Sequence, residues 1–288
     1  MVELSLDQDR PDIARVGFAG DTLNTAIYLK RCAPQLAVSY VTRLGRDRFS
    51  EDLEQFILGE ALETDLIGHS DTLSVGLYAI STDDAGERSF SYWRDSSAAR
   101  TLFGEGQPDL DDLGGFDVLY LSAISLAILS PDARAALLGW LPGFRRQGGQ
   151  VAFDSNFRPA LWPDVETARA AVAVAWAQTD IALPSLDDEQ ALFGDADEHA
   201  VVARLRSCGV TDGALKRGER GPLSLADDIA DGEFKPATRV VDSTAAGDSF
   251  NGGYLGARLG GQSQVDCMRA GHDLARRVIG VKGAILPR

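Results

Sequence analysis

One stretch of this sequence concentrates residue types suited to chemistry at a phosphate: Asp242-Ser243-Thr244-Ala245-Ala246-Gly247-Asp248. The apolar pair Val240-Val241 precedes it and a helix-like run, Ala246–Leu259, follows from its end. Small side chains let a ligand approach the backbone closely. The first N–H groups of a helix lack internal partners and carry the positive end of its dipole. Ala246, Gly247 and Asp248 can therefore form an anion hole for phosphate oxygens. Asp248, at its edge, is suited to accept the proton of a substrate hydroxyl. The same residues also read as an ordinary helix start, because Asp is a favoured cap and Ala-Gly a common turn.

Three further clusters invite a ligand. Lys216-Arg217-Gly218-Glu219-Arg220-Gly221 is a glycine-containing turn after a strand, bringing positive charge to a nucleotide or simply lying solvated. Gly20-Asp21-Thr22-Leu23-Asn24 opens a helix with polar side chains that can bind sugar hydroxyls or cap the helix. Asp154-Ser155-Asn156-Phe157-Arg158-Pro159 follows a buried strand, where ligands of doubly wound sheets bind. Arg158 can grip a carboxylate bidentately there, or pair with Asp154 to shape the loop. Neither a G-x-x-x-x-G-K-[ST] nor a G-x-G-x-x-G sequence occurs, so a phosphate site is of another design.

The elements that must position these residues alternate. Strand-like runs include Ala37–Val41, Val118–Leu121, Val151–Phe153, Ile181–Leu183 and Gly213–Leu215. Helix-like runs include Thr22–Arg31, Asp47–Glu60, Pro131–Arg146, Val165–Ala177, Glu198–Ser207 and Ala246–Leu259. Continuously apolar strands between helices predict an α/β fold: a doubly wound, mostly parallel sheet with helices on both faces. Leu73–Ile80 and Arg88–Arg94 flank the turn signal Asp83-Asp84-Ala85-Gly86 and read as an antiparallel hairpin at about 72–95. Alternation puts Tyr78 with Ile80 on one face, and Phe90, Tyr92 and Arg94 together. Such a hairpin is either a lid over a substrate or a plain edge of the core.

The 288 residues, with no linker or repeat, are read as a single domain. The formal net charge of −15 argues against nucleic acid and against an anionic membrane surface. No run approaches a membrane span, and Met1-Val2-Glu3-Leu4-Ser5 lacks the features of a signal peptide. Cys32, Cys208 and Cys267 are scattered, which fits a reduced, cytoplasmic setting and offers no zinc spacing.

Together these residues resemble the ribokinase-like (PfkB) family of carbohydrate kinases. Asp242–Asp248 follows its D-[TS]-T-[GA]-A-G-D signature, and the likeness spans nearly the whole chain. Within the family, Ala19–Ala26, Tyr92-Trp93-Arg94, Leu121–Ser130 and Asn156–Trp162 are most similar to the branch that phosphorylates 2-keto-3-deoxygluconate.

The resemblance implies ATP-dependent transfer of a phosphoryl group to the 6-hydroxyl of that sugar acid. It implies Asp248 as base, with the backbone at Ala245, Ala246 and Gly247 completing the catalytic turn. Gly20, Asp21, Asn24 and Ile124 would meet the sugar, Tyr78, Tyr92 and Arg94 would reach it from the lid, and Arg158 would hold its carboxylate. Lys216, Arg217, Gly218, Gly221, Thr244 and Gly247 would line the ATP site. Mg²⁺ would bridge the β- and γ-phosphates through water, with Asp188 or Glu189 where relatives carry an N-x-x-E motif. Relatives usually begin with a central strand ahead of the piece that Met1-Val2-Glu3-Leu4 resembles, so that strand is expected to be missing. A homo-oligomer joined through the lid is expected as well. The alternatives are a fructokinase, a 2-keto-3-deoxygalactonate kinase, or a silent binder of sugar acid or nucleotide.

Overall fold

A computed structural model describes residues 1–6, 10, 12–82, 88–104, 106, 108–226 and 232–288. In chain order, β1 (Val2–Leu6) and β2 (Ala14–Phe18) lead into α1 (Asp21–Cys32), β3 (Thr42–Leu44), α2 (Arg48–Gly59) and β4 (Ile67–His69). The pair β5 (Leu77–Thr82) and β6 (Arg88–Trp93) precedes β7 (Val118–Ser122), α3 (Ala123–Ile128), α4 (Pro131–Arg146) and β8 (Gln150–Asp154). Then come α5 (Val165–Trp176), β9 (Ile181–Ala182), α6 (Leu186–Phe193), α7 (Glu198–Ser207), β10 (Ala214–Leu215), β11 (Leu223–Ser224), α8 (Ala246–Leu259) and α9 (Gln264–Val278). Several helices start where the sequence offers a short acceptor. Asp47, Ser130, Asp164, Asp197 and Ser263 each accept a backbone N–H of the first turn of α2, α4, α5, α7 and α9.

Strands β7, β8 and β9 form a parallel sheet, and the parallel bridge from Ala182 to Gly213 brings β10 alongside β9. Helices cover both faces. Val151 and Phe153 of β8 pack into a core with α4 and α5, while Ala152 faces the opposite core with Phe250, Tyr254 and Met268. On that second side α1 lies against α8, and α8 against α9, at distances only glycine permits. A Cβ on Gly252 would lie 2.5 Å from Tyr28 Cβ, and one on Gly253 would lie 2.8 Å from Ala270 O.

The expected hairpin is present in register, with Tyr78 opposite Tyr92 and Ile80 opposite Phe90. Its turn, Asp83-Asp84-Ala85-Gly86, lies outside the described residues. Tyr78, Phe90 and Tyr92 form one aromatic cluster, with Arg94 stacked over the Tyr92 ring. The strand begins at Leu77 rather than Leu73, because Leu73 is drawn into a turn by its N–H bond to Ser70 Oγ. The hairpin is also half of a larger sheet, ordered β2-β1-β5-β6. A two-stranded hairpin is marginal in water, and β1 supplies the missing neighbour by pairing in parallel with β5.

The strand expected at Ala37–Val41 is displaced to Thr42–Leu44, and residues 37–41 keep one bridge, Ser39 to Glu63. Strand β3 pairs with β4 and not with β7. Between them lies a cavity of about 780 Å³, lined by Val38, Thr42, Leu44, Val118, Tyr120 and Leu121 among others. It continues to Gly20, Asp21, Arg94 and Ile124.

Candidate active site

The carboxyl ends of β7 and β8 deliver Ser122 and Asp154 to the same edge as the N-termini of α1 and α8. Gly20 is extended and caps α1, and its N–H donates to Asn24 Oδ1 at 3.3 Å. The other end of that amide, Asn24 Nδ2, donates to Asp248 Oδ2 at 2.8 Å. Both atoms of the Asn24 side-chain amide are thus committed, and one is on the expected base. Asp21 accepts from Ser122 Oγ at 2.5 Å and from Asn156 Nδ2 at 3.5 Å.

Helix α8 begins at Ala246, after Ala245 in the left-handed region at φ 60°. That conformation costs a residue with a Cβ roughly 1–2 kcal/mol. It turns the backbone so that the Ala246 N–H closes on Ser243 O at 3.2 Å. Among the described residues no acceptor meets the N–H of Gly247 or Asp248, so two of the three expected donors, not Ala246, are open to an anion. Asp242 fixes the loop ahead of it by accepting from Thr244 N at 3.0 Å and Gly283 N at 2.7 Å.

Asp248 keeps some solvent contact, yet its carboxyl is pushed up to about 7. Removal of water by the surrounding protein is the largest cause, with the charges of Asp21 and Asp154 adding to it. The Asn24 bond and Lys216 oppose it. Asp21 is raised by burial too. A carboxylate near 7 at a helix N-terminus is matched to taking a proton from an alcohol at neutral pH.

The turn at 216–221 divides. Lys216 Nζ points into the site, donating to Asp154 Oδ1 at 2.9 Å and Asn251 Oδ1 at 3.1 Å. Arg217 instead pairs with Glu198 at 2.9 Å and donates to Gly221 O at 3.0 Å, so its charge is neutralised away from the site. Gly218 borders open space, while Gly221 is packed where a Cβ would strike Phe234 at 2.6 Å.

Arg158 is exposed and donates to Phe157 O at 2.7 Å and to Asp188 at 3.2 Å. Its partner is Asp188 and not Asp154, which is occupied by Lys216. The adjacent acids Asp188 and Glu189 part company. Asp188 stays at the mouth, raised mainly by burial. Glu189 is fully buried against Arg204 at 2.6 Å, and burial pushes it up to about 7. Tyr78 is buried and donates its hydroxyl to Glu3, so within the four-stranded sheet it is engaged with β1 rather than free. Tyr92 and Arg94 remain more open.

Two residues beneath the site carry no motif of their own. Asn251 Nδ2 donates to Asp154 Oδ2 at 2.7 Å and to Tyr120 OH at 2.9 Å. Asn251 is recoverable from sequence only as the residue one helical turn past Asp248, on the same face.

This geometry agrees with what the chain is similar to. The pattern of the pfkB family carbohydrate kinases matches residues 4–288. A 2-dehydro-3-deoxygluconokinase of Dickeya dadantii is 45% identical over 297 residues, covering 100% of this chain and 94% of that protein. The protein of the same name from Escherichia coli K12 is 43% identical over 296 residues, covering 100% and 95%. Among solved structures, the fructokinase of Vibrio cholerae with fructose, ADP and calcium bound superposes with a TM-score of 0.83 at 22% identity, covering 98% of this chain and 91% of that one. A signature that opens α8, a parallel sheet clothed by helices on both faces, and a match over nearly the whole length lead to one conclusion: the chain belongs to the pfkB family of carbohydrate kinases.

Proposed function

We propose that this protein is a 2-dehydro-3-deoxygluconokinase, transferring the γ-phosphoryl group of ATP to the 6-hydroxyl of 2-keto-3-deoxygluconate. The carrying observation is the full-length identity of 43–45% to proteins of that name, joined to an Asp248 carboxyl pushed up to about 7 beside two free helix N–H groups. In this reading Asp248 takes the hydroxyl proton, and the Gly247 and Asp248 N–H groups receive the phosphoryl oxygens. Asp21 and Gly20 hold sugar hydroxyls beside Ile124, and Arg158 and Arg94 give a sugar acid a reason to bind that a neutral sugar lacks. Thr244, Lys216, Gly218 and Gly221 border the nucleotide.

Magnesium, when bound, would offset the negative charge of the nucleotide's phosphates. It keeps most of its waters and needs only one or two carboxylates. Asp188, partly exposed at the mouth beside Arg158, fits that limited demand, whereas Glu189 is spent on Arg204. The four-stranded sheet β2-β1-β5-β6 is the lid of this single kinase domain, and its apolar outer residues serve a lid-to-lid dimer.

The testing experiment is coupled ADP release with ATP and Mg²⁺, comparing 2-keto-3-deoxygluconate, 2-keto-3-deoxygalactonate and fructose. Selective turnover of the first is expected, and equal turnover of fructose removes the sugar-acid reading. Arg158→Ala should raise KM for the sugar acid about tenfold or more and leave that for ATP nearly unchanged, as expected for a lost charge-assisted contact. An unchanged sugar-acid KM takes Arg158 out of the site.

A further inference from the structure

Lys216 is the one cation of the 216–221 turn that faces the reaction centre. Arg217 and Arg220 are both held by Glu198, at 2.9 and 2.6 Å. The Lys216 side chain is only 10% exposed. Two of its three ammonium hydrogens are accounted for by Asp154 Oδ1 and Asn251 Oδ1. Asn251 cannot turn away, because its Nδ2 is fixed on Asp154 Oδ2 and Tyr120 OH. Asp154 and Asn251 are themselves buried, so the ammonium is mounted on a rigid polar base.

The direction of the third hydrogen matters. A Cβ at Gly247 would lie 3.5 Å from Lys216 Nζ, so the ammonium stands beside the backbone that carries the free N–H groups of α8. Charge balance asks for a cation there. Asp21, Asp154 and Asp248 converge on this edge, and each of the other two raises the Asp248 carboxyl. A migrating phosphoryl group brings more negative charge to the same place. A fixed ammonium supplies the opposing charge in a low-dielectric setting, with no reorganisation at the moment of reaction.

We propose that Lys216 is a catalytic residue that touches the phosphoryl group in flight, and that Asp154 and Asn251 are positioning residues that aim it. The inference rests on the kinase reading above. The sugar oxygen forms its bond to the γ-phosphorus as the bond from that phosphorus to the β–γ bridging oxygen breaks. The hydroxyl proton goes to Asp248 and the electron pair of the broken bond leaves with ADP. Lys216 stays protonated throughout, and its free N–H turns to a phosphoryl oxygen. It therefore acts on the transition state more than on bound ATP.

The test compares wild type, Lys216→Met and the charge-balanced double variant Lys216→Met/Asp154→Asn. Lys216→Met is expected to lower kcat about 100-fold or more, the cost typical of one lost transition-state donor, with KM for ATP within about threefold. If Lys216 merely balances Asp154, the double variant regains wild-type kcat; if it touches the phosphoryl group, the double variant stays slow. A rise in KM for ATP with kcat unchanged also overturns the proposal. Should the variants fail to fold, a crystal structure of the wild type with ADP, aluminium fluoride and the sugar acid decides. Nζ within about 3 Å of a fluoride, an ordinary charge-assisted distance, supports the assignment, and Nζ contacting only Asp154 and Asn251 ends it. A wild type that phosphorylates fructose and not the sugar acid overturns the substrate alone, and the Lys216 comparison is then made with fructose.

Discussion

Asn24 links two functions that a sequence keeps apart. Its Oδ1 holds the Gly20 N–H where the sugar is proposed to bind, and its Nδ2 stabilises the charged form of Asp248. Asn24→Leu removes that stabilisation, so the Asp248 carboxyl should rise above about 7. The proposed base would work deprotonated, so the acidic limb of kcat against pH should move to higher pH. The deficit should be greater at pH of about 6 than at about 8.5, where the carboxyl is ionised in both proteins. A kcat profile over that range checks this, and an unmoved limb would show that Asn24 does not tune the base. Asp248 is legible in the sequence because its helix and its motif are local. Its partner is not, because Asn24 lies 224 positions away. The adjacent acids Asp188 and Glu189 look equivalent as letters. On a helix they point about 100° apart, which leaves one at the mouth and sends the other to Arg204.

At the scale of elements, the contact of α1 with α8 sets the distance from Asn24 to Asp248. Gly252 permits it: a Cβ there would lie 2.5 Å from Tyr28 Cβ and 2.8 Å from Leu29 N. Gly252→Ala should therefore destabilise by about 1–3 kcal/mol, the usual cost of overpacking, and lower kcat by prising the two helices apart. Gly139→Ala in α4, where a Cβ meets nothing within 4 Å, should leave both intact or raise stability by about 1 kcal/mol. Thermal unfolding and turnover measured side by side separate the two outcomes. Helices with capping residues and clean punctuation, such as Pro131–Arg146 and Glu198–Ser207, are read from sequence to the residue. Residues 37–41 are not, although their apolar pattern is strand-like. A strand also needs a partner edge, and among the described residues only the single bridge to Glu63 is available. The two strands added to the hairpin escape for a related reason, since β1 joins it through pairing with a segment 75 positions on, Val2 opposite Leu77.

At the scale of the whole molecule, the four-stranded sheet leaves apolar side chains in solvent. Leu6, Val16, Phe90, Tyr92 and Trp93 are all exposed, Trp93 by 61%. A sheet with apolar residues and open edges invites a second copy. Sedimentation should show a dimer whose population grows with concentration, and Trp93→Lys should shift it toward monomer. Wild-type monomer at every concentration would end the lid-to-lid proposal. The cavity between β3 and β7 has a consequence of another kind. Collapse around it eliminates whatever part of that space water does not fill, and hydrostatic pressure favours whichever state occupies less volume. Because that space runs on to Gly20 and Asp21, compression should be felt first at the floor of the proposed sugar site, at pressures well below those that unfold the rest of the chain.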